Sequence, residues 1–309
     1  MPRIVMPSDV FPPKCGGAGW SAHALARALL AHGQAVVAVV PQPGAASAAI
    51  VDVAGVPTVH VAAATGTNPL LRWLSRLLLL RRWRRAIAAQ STTGAVVVHA
   101  QHVLAAQAAM PLRDARRRVV VTIRDHWPWD MRATGMAMAG DQRTIRGAWQ
   151  TLRLRGASWV HCLAAPFYAI QMRRRAQLLA AADLVVAVSE HIAGRVRATA
   201  PTATVVAIPN MVDVDAIAAV CSQPPHTAVS SEYVLFVGKL AANKGAQYLP
   251  ALIAQIRPPA IVIAGDGPLA EPIAAAAAAA GVPCTITAWV DHDEVLRLLG
   301  HAAALWFPS

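Results

Sequence analysis

Short runs of β-branched and other apolar residues recur along this chain, most of them followed by a longer Ala- and Leu-rich stretch. The runs fall at residues 4–6, 36–40, 58–61, 96–99, 119–123, 184–188 and 205–208. A second series falls at 233–237, 260–264, 284–287 and 305–307. Runs of three to six apolar residues describe strands covered on both faces, as parallel sheets flanked by helices require. Repeated strand–helix units build an α/β doubly wound sheet, and there are too many runs here for one compact sheet. A break rich in polar residues at 209–231, with Pro224-Pro225, separates the two series. The expected architecture is therefore two Rossmann-like domains, residues 1–208 and 209–309. Residues 130–175 leave the strand–helix rhythm. Their Gly, Met, Trp and repeated Arg describe helices and loops inserted after the strand that ends near Ile123.

With 309 residues the chain is long enough to bury two cores, and 56% hydrophobic content excludes intrinsic disorder. Neither a secretory leader nor a clean apolar window of about 20 residues is legible. Cys15, Cys162, Cys221 and Cys284 lie far apart, which argues against a disulfide framework or a metal site and for a reduced, cytoplasmic setting. Charge is unevenly divided. Through residue 200 there are 24 Lys and Arg against 8 Asp and Glu, and beyond it 4 against 8. Residues 70–85, LLRWLSRLLLLRRWRR, read as a basic amphipathic helix carrying Trp73 and Trp83. Such a helix either packs its leucines on its own sheet with the arginines solvated, or lies on an anionic membrane surface at the inner face. No nucleic-acid-binding motif accompanies the charge, so nucleic acid is not an expected partner.

In doubly wound folds ligands bind at the carboxyl ends of the strands. The first such loop carries Gly16-Gly17-Ala18-Gly19 at a helix start, which suits close approach of a phosphate or sugar and equally suits a tight turn. The second, VLFVGKLAANKG, sets Lys239 and Lys244 just past a strand that ends in Gly238. Two ammonium groups there fit a diphosphate; two solvated surface lysines are the alternative. The third, IVIAGDGPL, places Gly265, Asp266 and Gly267 directly after a strand, either against a nucleotide or as a structural turn.

Taken in order, these segments resemble the retaining glycosyltransferases of family 4, which have the two-domain GT-B fold. The resemblance also rests on SAHALARALLAHGQAVVAVV after Gly16-Gly17, VVVHAQH, VVVTIRDHWPW, LVVAVSEHIAGRV, VVAIPNMVD and WVDHDEVLRLLGHAAALWFPS. It runs from about residue 4 to the end and is weakest over 130–175. It implies transfer of a hexosyl group from a nucleotide-diphosphate sugar to a saccharide or lipid-linked acceptor, with retained configuration and without metal or other cofactor. Carried over by position, Gly16, Gly17, Gly238, Lys239 and Lys244 would serve the donor diphosphate. Gly265, Asp266 and Gly267 would border the nucleotide, while His99 and His102 would lie on the acceptor side. Pro209-Asn210 would mark the crossing between domains.

Some positions depart from the family pattern. Many relatives place His before Asp where this chain has Arg124-Asp125-His126, the expected catalytic segment, and many have Gly in place of Met211. Relatives also continue past the segment like LWFPS to two glutamates eight positions apart. Stopping at Ser309 makes a fragment with little activity of its own the expectation, with a non-catalytic homologue acting as a binding or partner subunit as the alternative. Ser189-Glu190 ends a further strand, where helix capping is the plain alternative to a role in the site.

Overall fold

The computed structural model describes residues 2–13, 15–44, 49–63, 69–92, 94–131, 133, 138–229 and 232–308, with backbone alone at 69–74. It divides into two compact units, Met1–Val212 and Asp213–Ser309. The first unit runs β1 Arg3–Pro7, α1 Gly17–Ala31, β2 Val36–Pro43, β3 Ile50–Val53, β4 Val56–Ala63, α2 Pro69–Ala89, β5 Val96–Ala100 and α3 Val103–Ala109. It continues with β6 Arg117–Ile123, α4 Ile145–Leu154, α5 Trp159–Cys162, α6 Ala165–Ala181, β7 Leu184–Ala187, α7 Glu190–Thr199 and β8 Val205–Ala207. The second comprises α8 Val214–Cys221, β9 Val234–Val237, α9 Leu249–Ile256, β10 Ile261–Ala264, α10 Ala270–Ala280, β11 Cys284–Ile286, α11 His292–His301 and β12 Ala304–Leu305.

The first sheet has the order β3-β4-β2-β1-β5-β6-β7-β8. Every pairing is parallel except β3 with β4. That edge hairpin lies outside the all-parallel expectation. It turns at Ala54 and Gly55, both with positive φ, and Asp52 Oδ1 accepts from Gly55 N at 2.9 Å. An Ala-Gly turn lacks the Asn-Gly or Asp-Gly signature that makes such hairpins legible. Central strands are buried on both faces: in β2 all five residues from Val36 to Val40 are buried. Val37 and Val39 pack in the cluster that includes Trp83, while Val36, Ala38 and Val40 pack with Ala22 and Ala26 of α1.

Helix α2 packs one of its two tryptophans against the sheet. Trp83 is fully buried, and its indole N–H donates to Val39 O at 3.0 Å. Arg76 and Arg84 donate to Gln107 Oε1 and O, and Arg82 to Ala62 O. The sheet thus covers Trp83, one of the two tryptophans on which the interfacial reading of residues 70–85 rests, while Leu77 and Leu78 are exposed. The side chain of Trp73 lies outside the described residues.

The second sheet is fully parallel, in the order β11-β10-β9-β12. Leu249 and Ile253 of α9 and Ile273 and Ala277 of α10 bury one face. Leu298 of α11 packs with Leu235 and Val262 of the other. Asp291 caps α11, accepting from Glu294 N at 2.7 Å. The buried Glu294 carboxylate then accepts from His226 N, Thr227 N and Thr227 Oγ1 at 3.0, 2.8 and 2.8 Å. Burial alone would raise its pKa, but these bonds hold it below the usual glutamate value. Glu294→Ala leaves two partly buried amides, of His226 and Thr227, without this acceptor and is expected to cost about 2 kcal/mol, read as an earlier thermal transition of the unit.

Candidate functional site

Strands β1, β5 and β6 are neighbours in the parallel sheet, so the residues that follow them emerge at one edge. Those residues are Asp9 after β1, Gln101 and His102 after β5, and Arg124, Asp125 and His126 after β6. The His102 ring joins all three loops. Its Nδ1 is 3.0 Å from Asp9 Oδ2 and its Nε2 is 2.9 Å from Asp125 Oδ2. Asp9 also accepts from Leu104 N and Ala105 N at 3.0 and 2.7 Å, which caps the start of α3. Burial would lower the His102 pKa. The bonds to Asp125 and Asp9 outweigh it and hold the ring at about 9. His102 is therefore an imidazolium at neutral pH, with both ring nitrogens donating. It orients two carboxylates, and an already protonated ring cannot take up a further proton as a base.

Asp125 is positioned from both sides, because its Oδ1 accepts from Trp127 N at 2.9 Å. Arg124 Nε donates to Asn210 Oδ1 at 3.1 Å, linking this loop to the residues after β8. Burial lowers the Arg124 pKa to about 10, with Asp125 opposing. His126 Nδ1 accepts from the Trp129 indole N–H at 3.2 Å, which leaves Nε2 as the ring nitrogen for a further partner. His99 lies 2.7 Å from Thr122 Oγ1, and burial together with Arg124 pushes its ring down to about 4. That is the environment of a neutral packing histidine. Buried Gln101 Oε1 has no hydrogen-bond partner among the described residues, and such an atom is commonly satisfied by water or ligand.

Beneath this edge the β6 loop is anchored to the helical insert. Arg175 donates to Trp127 O and Asp130 O, and Arg155 pairs with buried Asp130 at 2.8 Å. In the glycine loop, Gly16 caps α1 and Gly17 begins it, and a Cβ added to either would meet nothing within 4 Å. Packing therefore demands glycine at neither position. It does at Gly19, whose added Cβ would lie 2.5 Å from Cys15 Sγ. Burial raises the Cys15 thiol to about 11, so it is no nucleophile. Ser189 Oγ accepts from Ile192 N at 3.3 Å and caps α7.

In the second unit the loops after β9 and β10 lie backbone against backbone. Leu240 N donates to Asp266 O at 2.9 Å, and Leu269 N to Leu240 O at 3.2 Å. A Cβ on Gly265 would lie 2.0 Å from Gly238 O, and one on Gly267 2.5 Å from Leu240 O. Only glycine permits that approach. Asp266 Oδ1 accepts from Gly267 N at 2.7 Å. Lys239 and Lys244 are both exposed, and the Lys244 Cγ lies 3.9 Å from where a Gly238 Cβ would stand.

The edge of the first unit thus joins Arg124, Asp125 and His102, while Gly238, Lys239, Lys244 and residues 265–267 share one loop pair of the second. Sequence reasoning missed Asp9. The signal was an acidic residue just past the strand run at 4–6.

The Glycosyltransferase Family 4 model matches residues 15–216. Among curated proteins none matches. Solved structures share the two-sheet GT-B fold at low identity. Sucrose-phosphate synthase from Thermosynechococcus elongatus is 15% identical with a TM-score of 0.65, over 99% of this chain and 77% of that one. The catalytic domain of starch synthase IV from Arabidopsis thaliana, bound to ADP and acarbose, is 14% identical with a TM-score of 0.63, over 99% and 78%. A UDP-forming α,α-trehalose-phosphate synthase from Burkholderia xenovorans, in complex with glucose-6-phosphate, is 12% identical with a TM-score of 0.64, over 97% and 78%.

Proposed function

The chain belongs to glycosyltransferase family 4, and from that premise we propose that this sugar-transferring enzyme takes a hexosyl group from a nucleotide-diphosphate donor and delivers it with retained configuration. The acceptor is a saccharide, free or lipid-linked, in a cytoplasmic setting. Structurally similar proteins are described with ADP and with a UDP-forming reaction, which supports a donor of this class. The observation that carries the reading is the meeting of the β9 and β10 loops. It sets the only two lysines of the second unit beside closely packed glycine backbone.

As the bond to the sugar breaks, negative charge gathers on the departing diphosphate. Ammonium groups fixed beside it stabilise that charge more than they stabilise the bound donor, and so speed the step. Lys239 and Lys244 take this role, and Gly265 and Gly267 leave room for the nucleotide against bare backbone. No metal or other cofactor is invoked, since the lysines supply the positive charge. In the first unit, Asp125 accepts a hydrogen bond from an acceptor hydroxyl. Each of its oxygens retains a lone pair beyond those engaged by His102 and Trp127 N. Arg124 contacts sugar or phosphate oxygens, His126 Nε2 serves the acceptor, and open Gly16 and Gly17 allow close approach of a ligand.

Nucleoside diphosphate binding measured by calorimetry tests the donor site. Each lysine is expected to contribute about tenfold, so K239A/K244A weakens binding about 100-fold without moving the thermal transition. Undiminished binding in the double variant sinks this assignment. NMR of the transfer product reads the anomeric outcome, and an inverted product removes retention.

A further inference from the structure

Helices α4, α5 and α6 invert the usual distribution of side-chain size. Their shared core is built mostly of small residues, Ala148, Leu152, Cys162, Ala165 and Ala169. Several large apolar residues of these helices are exposed instead. Trp159 is 72% and Leu163 69% exposed, and Ile145, Trp149, Phe167 and Ile170 are about half exposed. Ile145 and Trp149 lie one turn apart on α4, and Phe167 and Ile170 one turn apart on α6. Ile145, Trp149 and Leu163 line one shallow groove of about 530 Å³. An apolar groove accompanied by further exposed large apolar residues on the same three helices marks a docking site.

Charge identifies the partner. Between Asp141 and Asp183 there is no Asp or Glu, and there are seven arginines. Arg146, Arg153 and Arg174 are exposed among the apolar residues. Trp, Phe and Leu flanked by Arg, with no acidic residue, match the interface of an anionic bilayer, where rings enter the headgroup layer and guanidinium groups meet phosphate. A second copy is a poorer fit, because a two-fold contact would set this basic surface against itself. Among the described residues no helix is long and apolar enough to cross a membrane.

We infer that the outward face of α4, α5 and α6 docks on an anionic lipid surface, lying on the bilayer without crossing it. This surface lies on the insert and not on α2, for which the sequence pattern left docking as one of two readings. This docking stands apart from the donor-binding reading, and its assay does not measure transfer.

Co-sedimentation of the full chain with phosphatidylcholine vesicles containing about 30% phosphatidylglycerol, at physiological salt, tests it. Binding to these and at least tenfold weaker binding to pure phosphatidylcholine vesicles is the expected result. W149S/W159S/F167S and, separately, R146E/R174E should each weaken binding more than tenfold while leaving the thermal transition unchanged. R81A/R82A on α2 should change it less than threefold. Absence of binding by the wild-type chain overturns the proposal. So does binding indifferent to the insert substitutions, or self-association by ultracentrifugation that those substitutions abolish.

Discussion

Replacing His102 by alanine is expected to destabilise the first unit by about 3–5 kcal/mol, the cost of removing one member from a largely buried ion pair. Asp9, His102 and Asp125 are 11%, 22% and 32% exposed at their side chains, so water screens their charges only in part. Without the imidazolium, Asp9 and Asp125 lose the cation that separates them, and three strand-end loops lose their common tie. His102→Asn retains a side chain able to donate to one carboxylate, and should recover part of the loss.

The pH dependence separates this from simple loss of packing. The folded ring titrates at about 9, above the unfolded value of about 6.5. The folded state therefore binds the proton more tightly. Its stabilisation is fully present below about pH 6.5 and declines as pH rises through about 9. Wild-type stability should fall over that window, and the His102→Ala profile should be flatter there. A parallel decline in both proteins would show that His102 does not carry the charge assigned to it. Asp125 loses its orientation in the same variant, so transfer should drop by about 100-fold or more.

Arg155→Ala should be comparably damaging, at about 3–5 kcal/mol, through the other buried pair. Asp130 is fully buried and Arg155 nearly so, at 2.8 Å. The substitution leaves the carboxylate in the interior without this guanidinium. Loss of the charge together with its partner is cheaper. Asp130→Asn/Arg155→Ala should therefore cost clearly less than the sum of the single changes, and chemical denaturation of the four proteins forms the cycle that measures the coupling. Additive losses would show that the pair is not a unit. The same pair fastens the insert to the β6 loop, so Arg155→Ala should also impair vesicle binding, which the surface variants lower without loss of stability.

Much of this molecule was legible in its runs of apolar residues. Every strand run read from the sequence overlaps an observed strand, and the central strands are apolar throughout because both of their faces are covered. The edge strand β3 escaped because its pairing depends on a turn at Ala54 and Gly55. The strand-end rule singled out Lys239 and Lys244, and the family resemblance singled out Asp125 and His102. It did not supply the link from Asp9 to His102 to Asp125, whose members lie 93 and 23 positions apart.

By itself the sequence determined the fold class, because burial of strands on both faces is a local, periodic property. The tertiary structure alone decided direction and partnership. Trp83 and Trp159 are both tryptophans in arginine-rich segments, yet one is sealed under a sheet and the other open to solvent. His99 and His102 are three residues apart, yet one is neutral and one charged. Which face of a helix is covered, and which carboxylates surround a ring, depends on residues distant in the chain that only packing brings within a few ångströms.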